Sequence, residues 1–530
     1  MEWTVYILRC ADGTLYTGMT DDMEKRLKTH NTGKGAKYTR ARLPVEIAYT
    51  ESCADKSAAL KREIAIKKLT RKEKLKLMEK PDFNISSAAK KAIAMLRTAG
   101  YEAWIVGGCV RDLLMGKVPH DWDMTTSAEP EENKVVFKDF HTIDTGIKHG
   151  TVTVMMDGEP LEITTYRVDG EYKDNRRPEE VKFTRSLNED LLRRDFTMNA
   201  VAYAPEHGLA DPYGGKADIA LGIIRCVGEP TKRFNEDGLR ILRALRFSAV
   251  LGFEIEKNTA AAIHEEGELL KNISAERIRE EMTKLICGKN AAAVLREYSD
   301  VIAVSIPEIA PMVGFEQHNE HHCHDVWEHT IAAVDNIPAE PVLRWAALFH
   351  DMGKPGTFSM DDDGVGHFYG HAPKSAEMAD EVMTRLRFDN ESRERILTLV
   401  RHHDGPLETD AKFIKRKLGK LGECGFFNLV ALCRADNMAQ AKAYRHRQQH
   451  YDQVECIARE ILAGDNCFTL KSLAVNGHDL MALGYKGREV GNALQMLLEA
   501  VMDEKVENEK TALIEWLKLI NENNCEDIAQ

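Results

Sequence analysis

No run of the 530 residues reaches the 18 or so consecutive apolar positions that a membrane span needs, and the opening MEWTVYILRCADG has no basic stretch leading into an apolar one. A cytosolic protein is expected. Cysteine is scarce: the eleven are odd in number, scattered and without a CxxC pair, which argues against a disulfide framework or a cysteine-based zinc site. They are expected to be reduced, small and buried. The chain also lacks GxxxxGK[ST] and GxGxxG, so any nucleoside triphosphate is held without a Walker loop and a dinucleotide fold is disfavoured. There is no repeat of fixed period and no low-complexity segment.

What is present is enough for three or four globular units. Residues 1–80 carry 18 Lys and Arg against 11 Asp and Glu, whereas the whole chain has a net charge of −13, so the remainder stands at −20. A small basic module therefore precedes a large acidic body, which needs local basic grooves if it binds nucleic acid. A basic helical run from Lys67 to Lys80 meets Pro81, and a new amphipathic helix is expected to start at Ser86 or Ser87. Short strands (AWIV, TVTVMM, LEITTYR) and turns such as MMDGEP continue to about residue 228, and helical periodicity dominates beyond Arg233.

In the first module Tyr6 falls on one strand and Tyr16 on the next, Arg26 and His30 lie four apart on one helical face, and Glu63 follows on another helix. A phenol or imidazole can handle the proton of an attacking water, an arginine can neutralise a pentacovalent phosphate, and a carboxylate can hold a divalent metal. By spacing alone the same residues read as strand aromatics and a solvated charged face. Residues 1–80 resemble the GIY-YIG endonuclease domain, with Thr-Val-Tyr and Tyr-Thr-Gly standing for the two name-giving motifs. The resemblance implies functional roles for Tyr6, Tyr16, Arg26, His30 and Glu63, with a divalent metal and a DNA or RNA substrate.

The most specific pattern is Val106-Gly107-Gly108-Cys109-Val110-Arg111-Asp112 followed by Asp121-Trp122-Asp123. Strand residues two apart face one side, so Asp121 and Asp123 present two carboxylates to one point, suited to a pair of Mg²⁺ ions. The Gly pair lets backbone N–H groups approach phosphate, Arg111 adds charge-assisted bonds, and the hairpin TVTVMMDGEPLEITTYR brings Glu162 alongside as a third acid. Further on stand RRDFTMNA, with Arg194, and EDGLRILRALRF, in which Asp237, Arg240, Arg243 and Arg246 recur every three residues along one side of a helix. That spacing reads either as a salt-bridged face or as base selection. Cytosine and adenine share an amine donor beside a ring-nitrogen acceptor, which an Asp and an Arg can satisfy together and which uracil and guanine cannot match.

These motifs, in this order, make residues from about 84 to the end resemble a bacterial class II CCA-adding tRNA nucleotidyltransferase of the polymerase-beta-like superfamily. The resemblance implies that Asp121 and Asp123 bind Mg²⁺ and that Gly108, Arg111, Arg194, Asp237, Arg240, Arg243 and Arg246 bind CTP or ATP, with tRNA as the partner. The flexible-loop-like YRVDGEYKDNRRPEEVKF favours complete CCA addition over CC addition, while A-adding and poly(A) relatives share the motifs.

The run HNEHHCHDVWEH is followed by His350-Asp351 in WAALFHDMGK and Asp436 in CRADN, with His371, His402 and His403 between. Imidazoles and carboxylates spread over several helices suit Mn²⁺, Fe²⁺, Ni²⁺ or Mg²⁺ and phosphoester hydrolysis. They resemble the HD phosphohydrolase domain, whose ligands fall on His329, His350, Asp351 and Asp436. The alternative is a retained helical support with a vestigial site, against which all four ligand types are intact. The expected architecture is thus a multidomain α+β chain: a small α/β GIY-YIG module (1–80), a nucleotidyltransferase head (84–228), an all-α neck (229–320), an HD domain (321–440) and a helical tRNA-binding tail (441–530).

Overall fold

The computed structural model describes residues 3–53, 56–78, 83–144, 146–170, 181–464 and 467–527. The chain divides into two units, Met1–Ser274 and Ala275–Gln530. The first unit begins with strands β1 (Trp3–Cys10), β2 (Leu15–Thr20) and β3 (Val45–Cys53), an antiparallel sheet in the order β2-β1-β3. Alternation along the central strand feeds two small cores. Val5 and Ile7 pack with Ala59 and Ile66, while Tyr6 and Leu8 pack with Cys10 and Val45 on the other face. The helix Met23–Asn31 begins at Asp22, whose carboxylate accepts from the Lys25 N–H.

The basic run expected as one helix is two, Lys56–Lys68 and Arg71–Met78. Thr70 starts the second: Glu73 accepts its N–H at 2.7 Å, and its hydroxyl accepts the Glu73 N–H at 3.3 Å. This T-x-x-E reciprocal cap is a start signal inside the charged run. Pro81 lies outside the described residues. Ser86 caps the next helix, Ser87–Thr98, by accepting from the Ala89 N–H.

That helix covers a seven-stranded sheet made of β4 (Ala103–Val106), β5 (Trp122–Thr126), β6 (His141–Ile143), β7 (Thr151–Met156), β8 (Glu159–Thr165) and two later strands. A separate pair, β9 (Arg167–Asp169) and β10 (Val181–Phe183), stands at the root of the loop-like segment, of which residues 171–180 lie outside the described ones. The later strands are β11 (Ala202–Ala204) and β12 (Gly208–Ala210), and the order is β12-β11-β4-β5-β8-β7-β6, with β5 and β8 parallel and the other neighbours antiparallel. The β7–β8 turn places Asp157 at φ 52° and Gly158 at φ 87°, the left-handed pair that a two-residue hairpin requires. Ala89, Ile93 and Leu96 of the helix meet Ile105, Met124, Val154, Leu161 and Ile163 of the sheet in one core. Each such aliphatic contributes about 1.5–3 kcal/mol on full burial.

Among the described residues beyond 233 the regular structure is helical, with two small exceptions: Glu254–Ile255 pairs with Ile223–Ile224, and Ser359–Met360 pairs with Gly366–His367 around a turn closed by Asp361. The second unit is built on helices Val326–Asn336, Pro341–Phe349, His371–Arg385, Asn390–His402 and Ala411–Ala439, followed by Gln448–Ala463, Arg488–Met502 and Lys510–Asp527. The helix Ala411–Ala439 is interrupted at Gly422, whose φ 70° and ψ 169° are not helical. The described cysteines are free, as expected, but not uniformly buried: Cys323, Cys424 and Cys456 are exposed. Among the described residues no helix is long and apolar enough to cross a membrane.

Candidate functional site

Tyr6, Arg26 and His30 form a hydrogen-bonded triplet. The Arg26 Nε–H donates to the Tyr6 hydroxyl at 3.0 Å, and that hydroxyl lies 3.1 Å from His30 Nε2. Polarity follows from the far side of the imidazole. Thr39 gives its hydroxyl proton to the Ala36 carbonyl at 3.0 Å, so it accepts from His30 Nδ1 at 2.7 Å, and Nε2 is left to accept from Tyr6. Burial, then the Arg26 charge, holds His30 below the usual histidine range, and burial pushes the Tyr6 phenol up. The Tyr16 ring lies 5.3 Å from His30 and 6.4 Å from Tyr6. Glu63 is half-buried, pairs with Lys67 at 2.9 Å and adds its charge to the field on Tyr6. Gly18 is required here because a Cβ would stand 2.6 Å from the Tyr6 hydroxyl oxygen.

In the head, Met124 and Ile163 point into the core, so period-two alternation turns Asp123 and Glu162 to the opposite face. The parallel register of β5 and β8 sets Asp123 directly beside Glu162, and Asp121 precedes β5 by one residue. Burial raises the Asp123 carboxyl against the pull of the Arg194 guanidinium, and the Glu162 and Asp121 charges add to the rise. Gly107, at φ 80°, turns β4 into the helix Gly108–Leu114, and a Cβ on it would stand 3.1 Å from Arg194 Nη1.

A relay then joins the motifs. Arg111 Nη1 donates to Asn199 Oδ1 at 3.1 Å, Asn199 Nδ2 to Asp195 Oδ1 at 3.2 Å, and Arg243 to Asp195 Oδ2 at 2.6–2.8 Å. The Arg243 charge overcomes the opposing effect of burial and holds Asp195 down at about 2. Arg240 is buried and donates to Glu236 at 2.7 Å and to the carbonyls of Arg233 and Arg193. Phe247 carries three guanidinium groups over its ring: Arg246 at 3.8 Å, Arg111 at 5.3 Å and Arg243 at 5.5 Å.

One expectation is corrected. Asp237 does not share the helix of the arginines but sits in the break between Pro230–Glu236 and Leu239–Leu251, at φ −145° and ψ 104°, where it accepts the Leu239 N–H at 3.1 Å. Gly238, itself helical at φ −58° and ψ −23°, leads into the second helix, and its Cβ position is crowded to 3.0 Å by Leu269, so a larger residue does not fit there. Asp195, Asn199 and Phe247 were not singled out from the sequence. The RDFTMNA and ALRF segments contain them, but spacing carries no sign of the contacts that join them.

In the second unit His329, His350, Asp351 and Asp436 come together. His329 Nε2 lies 2.8 Å from Asp436 Oδ1 and 3.3 Å from Asp351 Oδ2, and His350 Nε2 lies 3.2 Å from Asp351 Oδ2. Both histidines are fully buried, and His350 Nε2 is without a hydrogen-bond partner, while Asp351 Oδ2 also faces the Lys354 ammonium at 2.7 Å. Buried imidazoles converging on carboxylates in this way fit a cation-binding set. His371 and His403 join the other side of Asp351, whereas His402 does not. The Asp351 carboxylate stays ionised despite its burial, held well below the usual range by His350 and Lys354.

Comparisons with known proteins bear on the family of the chain. Residues 103–225 match the poly A polymerase head domain, residues 2–76 the GIY-YIG catalytic domain, and residues 370–517 tRNA nucleotidyltransferase domain 2. The chain is 33% identical over 442 residues to a CCA-adding enzyme of Lactiplantibacillus plantarum, covering 82% of this chain and 96% of the relative. It is also 33% identical over 425 residues to one of Bacillus velezensis, covering 80% and 95%. A solved CCA-adding enzyme of Bacillus stearothermophilus in complex with CTP aligns with a TM-score of 0.63 at 30% identity, over 83% of this chain and 98% of that one. The chain therefore belongs to the family of CCA-adding enzymes, and carries a GIY-YIG catalytic domain ahead of the part it shares with them.

Proposed function

We propose that this chain completes tRNA 3′ ends, adding C, C and A from CTP and ATP with release of pyrophosphate and without a nucleic-acid template. The observation that carries it is Asp123 set directly beside Glu162, with the Asp121 charge also acting on it, next to the Gly107-Gly108 turn. Asp123, raised by burial and by the Asp121 and Glu162 charges, belongs to a carboxylate set suited to Mg²⁺. Mg²⁺ bound there supplies activation of a 3′-hydroxyl and neutralisation of the triphosphate. The Gly107-Gly108 backbone and Arg111 bind phosphate oxygens. Asp237, Arg243 and Arg246 read the base edge, Arg240 fixes the backbone at Arg193 and Arg233, and Arg194 holds Asp123 in place. Folded tRNA is held by backbone and shape along the helical segments 229–320 and 441–530.

The test is incubation with Mg²⁺ and tRNA lacking its 3′ end. CTP alone should extend it by two residues, CTP with ATP by three, and Asp121→Ala should lower the rate by more than a thousandfold. Addition of A alone, or long A tails, would refute complete CCA addition.

The amino-terminal module is read as a metal-dependent nuclease, with Glu63 as its metal ligand. Tyr6 passes a proton to His30 Nε2 while Arg26 stabilises charge on the phenol and on the phosphate, an order supported by the donor directions around His30. The buried cluster of His329, His350, Asp351 and Asp436 is read as an HD-type phosphohydrolase centre for Mn²⁺, Ni²⁺, Fe²⁺ or Mg²⁺. Metal-dependent phosphoester release lost in Asp351→Ala and kept in Asp121→Ala is expected, and loss in both would refute a separate centre.

A further inference from the structure

Phe247 lies where motifs far apart in the sequence meet. The guanidinium carbon of Arg246 stands 3.8 Å from the centre of its ring, that of Arg111 5.3 Å and that of Arg243 5.5 Å. All three fall within the roughly 6 Å over which an aromatic face attracts a cation. The ring itself is fixed, since Phe247 is 5% exposed and meets the fully buried Phe196 edge to face at 5.9 Å and 86°. Arg111 and Arg243 also have carboxylates, Asp112 at 2.8 Å and Asp195 at 2.6 Å, whereas the half-buried Arg246 is the one drawn closest to the ring. Three like charges gathered round one side chain repel one another, and the negative face of the ring offsets that crowding.

The three arginines come from two places with two tasks. Arg111 belongs to the helix opened by the Gly107-Gly108 turn, assigned to phosphate, while Arg243 and Arg246 belong to the helix Leu239–Leu251, assigned to the base. Arg243 and Phe247 are four apart and so share one face of that helix. A nucleotide carries its triphosphate and its base on opposite sides of a ribose. Selection at the base edge therefore works only if the phosphate grip stands at a fixed offset from the groups that read the base.

We propose that Phe247 is a positioning residue that sets this offset, its π face holding Arg111 in register with Arg243 and Arg246 so that C and A are chosen over U and G. The inference rests on the assignment of Arg111 to phosphate and of Arg243 and Arg246 to the base edge. An aliphatic side chain of similar bulk fills the space but does not attract the guanidinium groups. They then move apart, and base choice loosens along with nucleotide affinity.

The test replaces Phe247 in the full chain with Leu and, by nonsense suppression, with a mono-, di- and trifluorinated phenylalanine series, which keeps the shape of the ring while draining its negative face. Addition to tRNA lacking its 3′ end is measured with CTP against UTP, and to CC-ended tRNA with ATP against GTP. The KM for CTP should rise stepwise with each fluorine, about tenfold across the series, while kcat changes by less than about threefold. Preference for CTP over UTP and for ATP over GTP should fall in the same order, most of all in Phe247→Leu. Thermal midpoints within the fluorinated series should coincide, which separates positioning from folding, and should Phe247→Leu not fold, that series alone decides. A series flat in KM and in base preference, with Arg243→Ala and Arg246→Ala still relaxing base preference, would overturn the role of Phe247 alone. Unchanged base preference in the arginine variants as well would overturn the assignment of the base site together with it.

Discussion

Asp195 is the residue on which the head motifs converge, accepting from Asn199 and from Arg243. Its folded value of about 2 lies below its ordinary 3.8, so the stability it contributes is complete above that ordinary value and is lost as pH falls toward 2. Asp195→Asn should cost about 2 kcal/mol at pH 7, below the 3–5 kcal/mol of a fully enclosed pair because Arg243 is 35% exposed. In denaturant titrations the gap between the two proteins should narrow from pH 5 to pH 3, and a gap independent of pH would show that the charge is not what stabilises. Gly107→Ala combines an unfavourable left-handed backbone with a contact on Arg194, worth about 1–3 kcal/mol. Equilibrium binding should show weaker CTP, with tRNA affinity retained. At this scale much was legible from the sequence. Tyr6 with His30, Asp123 with Glu162, and His329 with Asp436 do meet. The assignment of His371 and His403 was not legible, because helix spacing says nothing of which imidazoles turn toward a carboxylate dozens of residues away.

Elements carry their own start and stop signals, and these explain where expectation and structure part. Ser86 was readable as a cap because an amphipathic run follows it. Ser86→Ala should lower head stability by about 1 kcal/mol without altering the chemistry, measurable as a shift in the thermal midpoint with unchanged CCA addition. The T-x-x-E cap at Thr70 was equally present in the sequence but lay hidden in a lysine-rich run, where charge periodicity suggested continuity. The break at Asp237 had a weaker signal still. Gly238 is itself helical, and nothing in the three-residue spacing marks the extended backbone at the residue before it. The short pairs at Ile223–Ile224 and Ser359–Met360 are too brief for any periodicity to declare.

Across the whole molecule, the charge division of the sequence maps onto separate chemistry. The basic first 80 residues bear the tyrosine–histidine relay, and the acidic remainder bears the carboxylate site. Glu63→Ala should abolish nucleic-acid cleavage and leave CCA addition within twofold. An equal loss of both activities would mean that the module serves the transferase rather than a reaction of its own. Affinity for tRNA should fall steeply between 50 and 200 mM salt, since phosphate contacts dominate such binding. The break at Gly422 bears on how force passes through the second unit. Lys412, on one side of the break, is tied to the Asp503 carbonyl at 3.1 Å, while Asp436, on the other, completes the histidine cluster. An unbroken rod of this length, roughly 43 Å at 1.5 Å per residue, would act as a single lever and tilt Asp436 whenever the tail shifted on its RNA. With the glycine as a joint, a displacement on the Lys412 side need not be carried along the rod to Asp436 and the histidine cluster it completes.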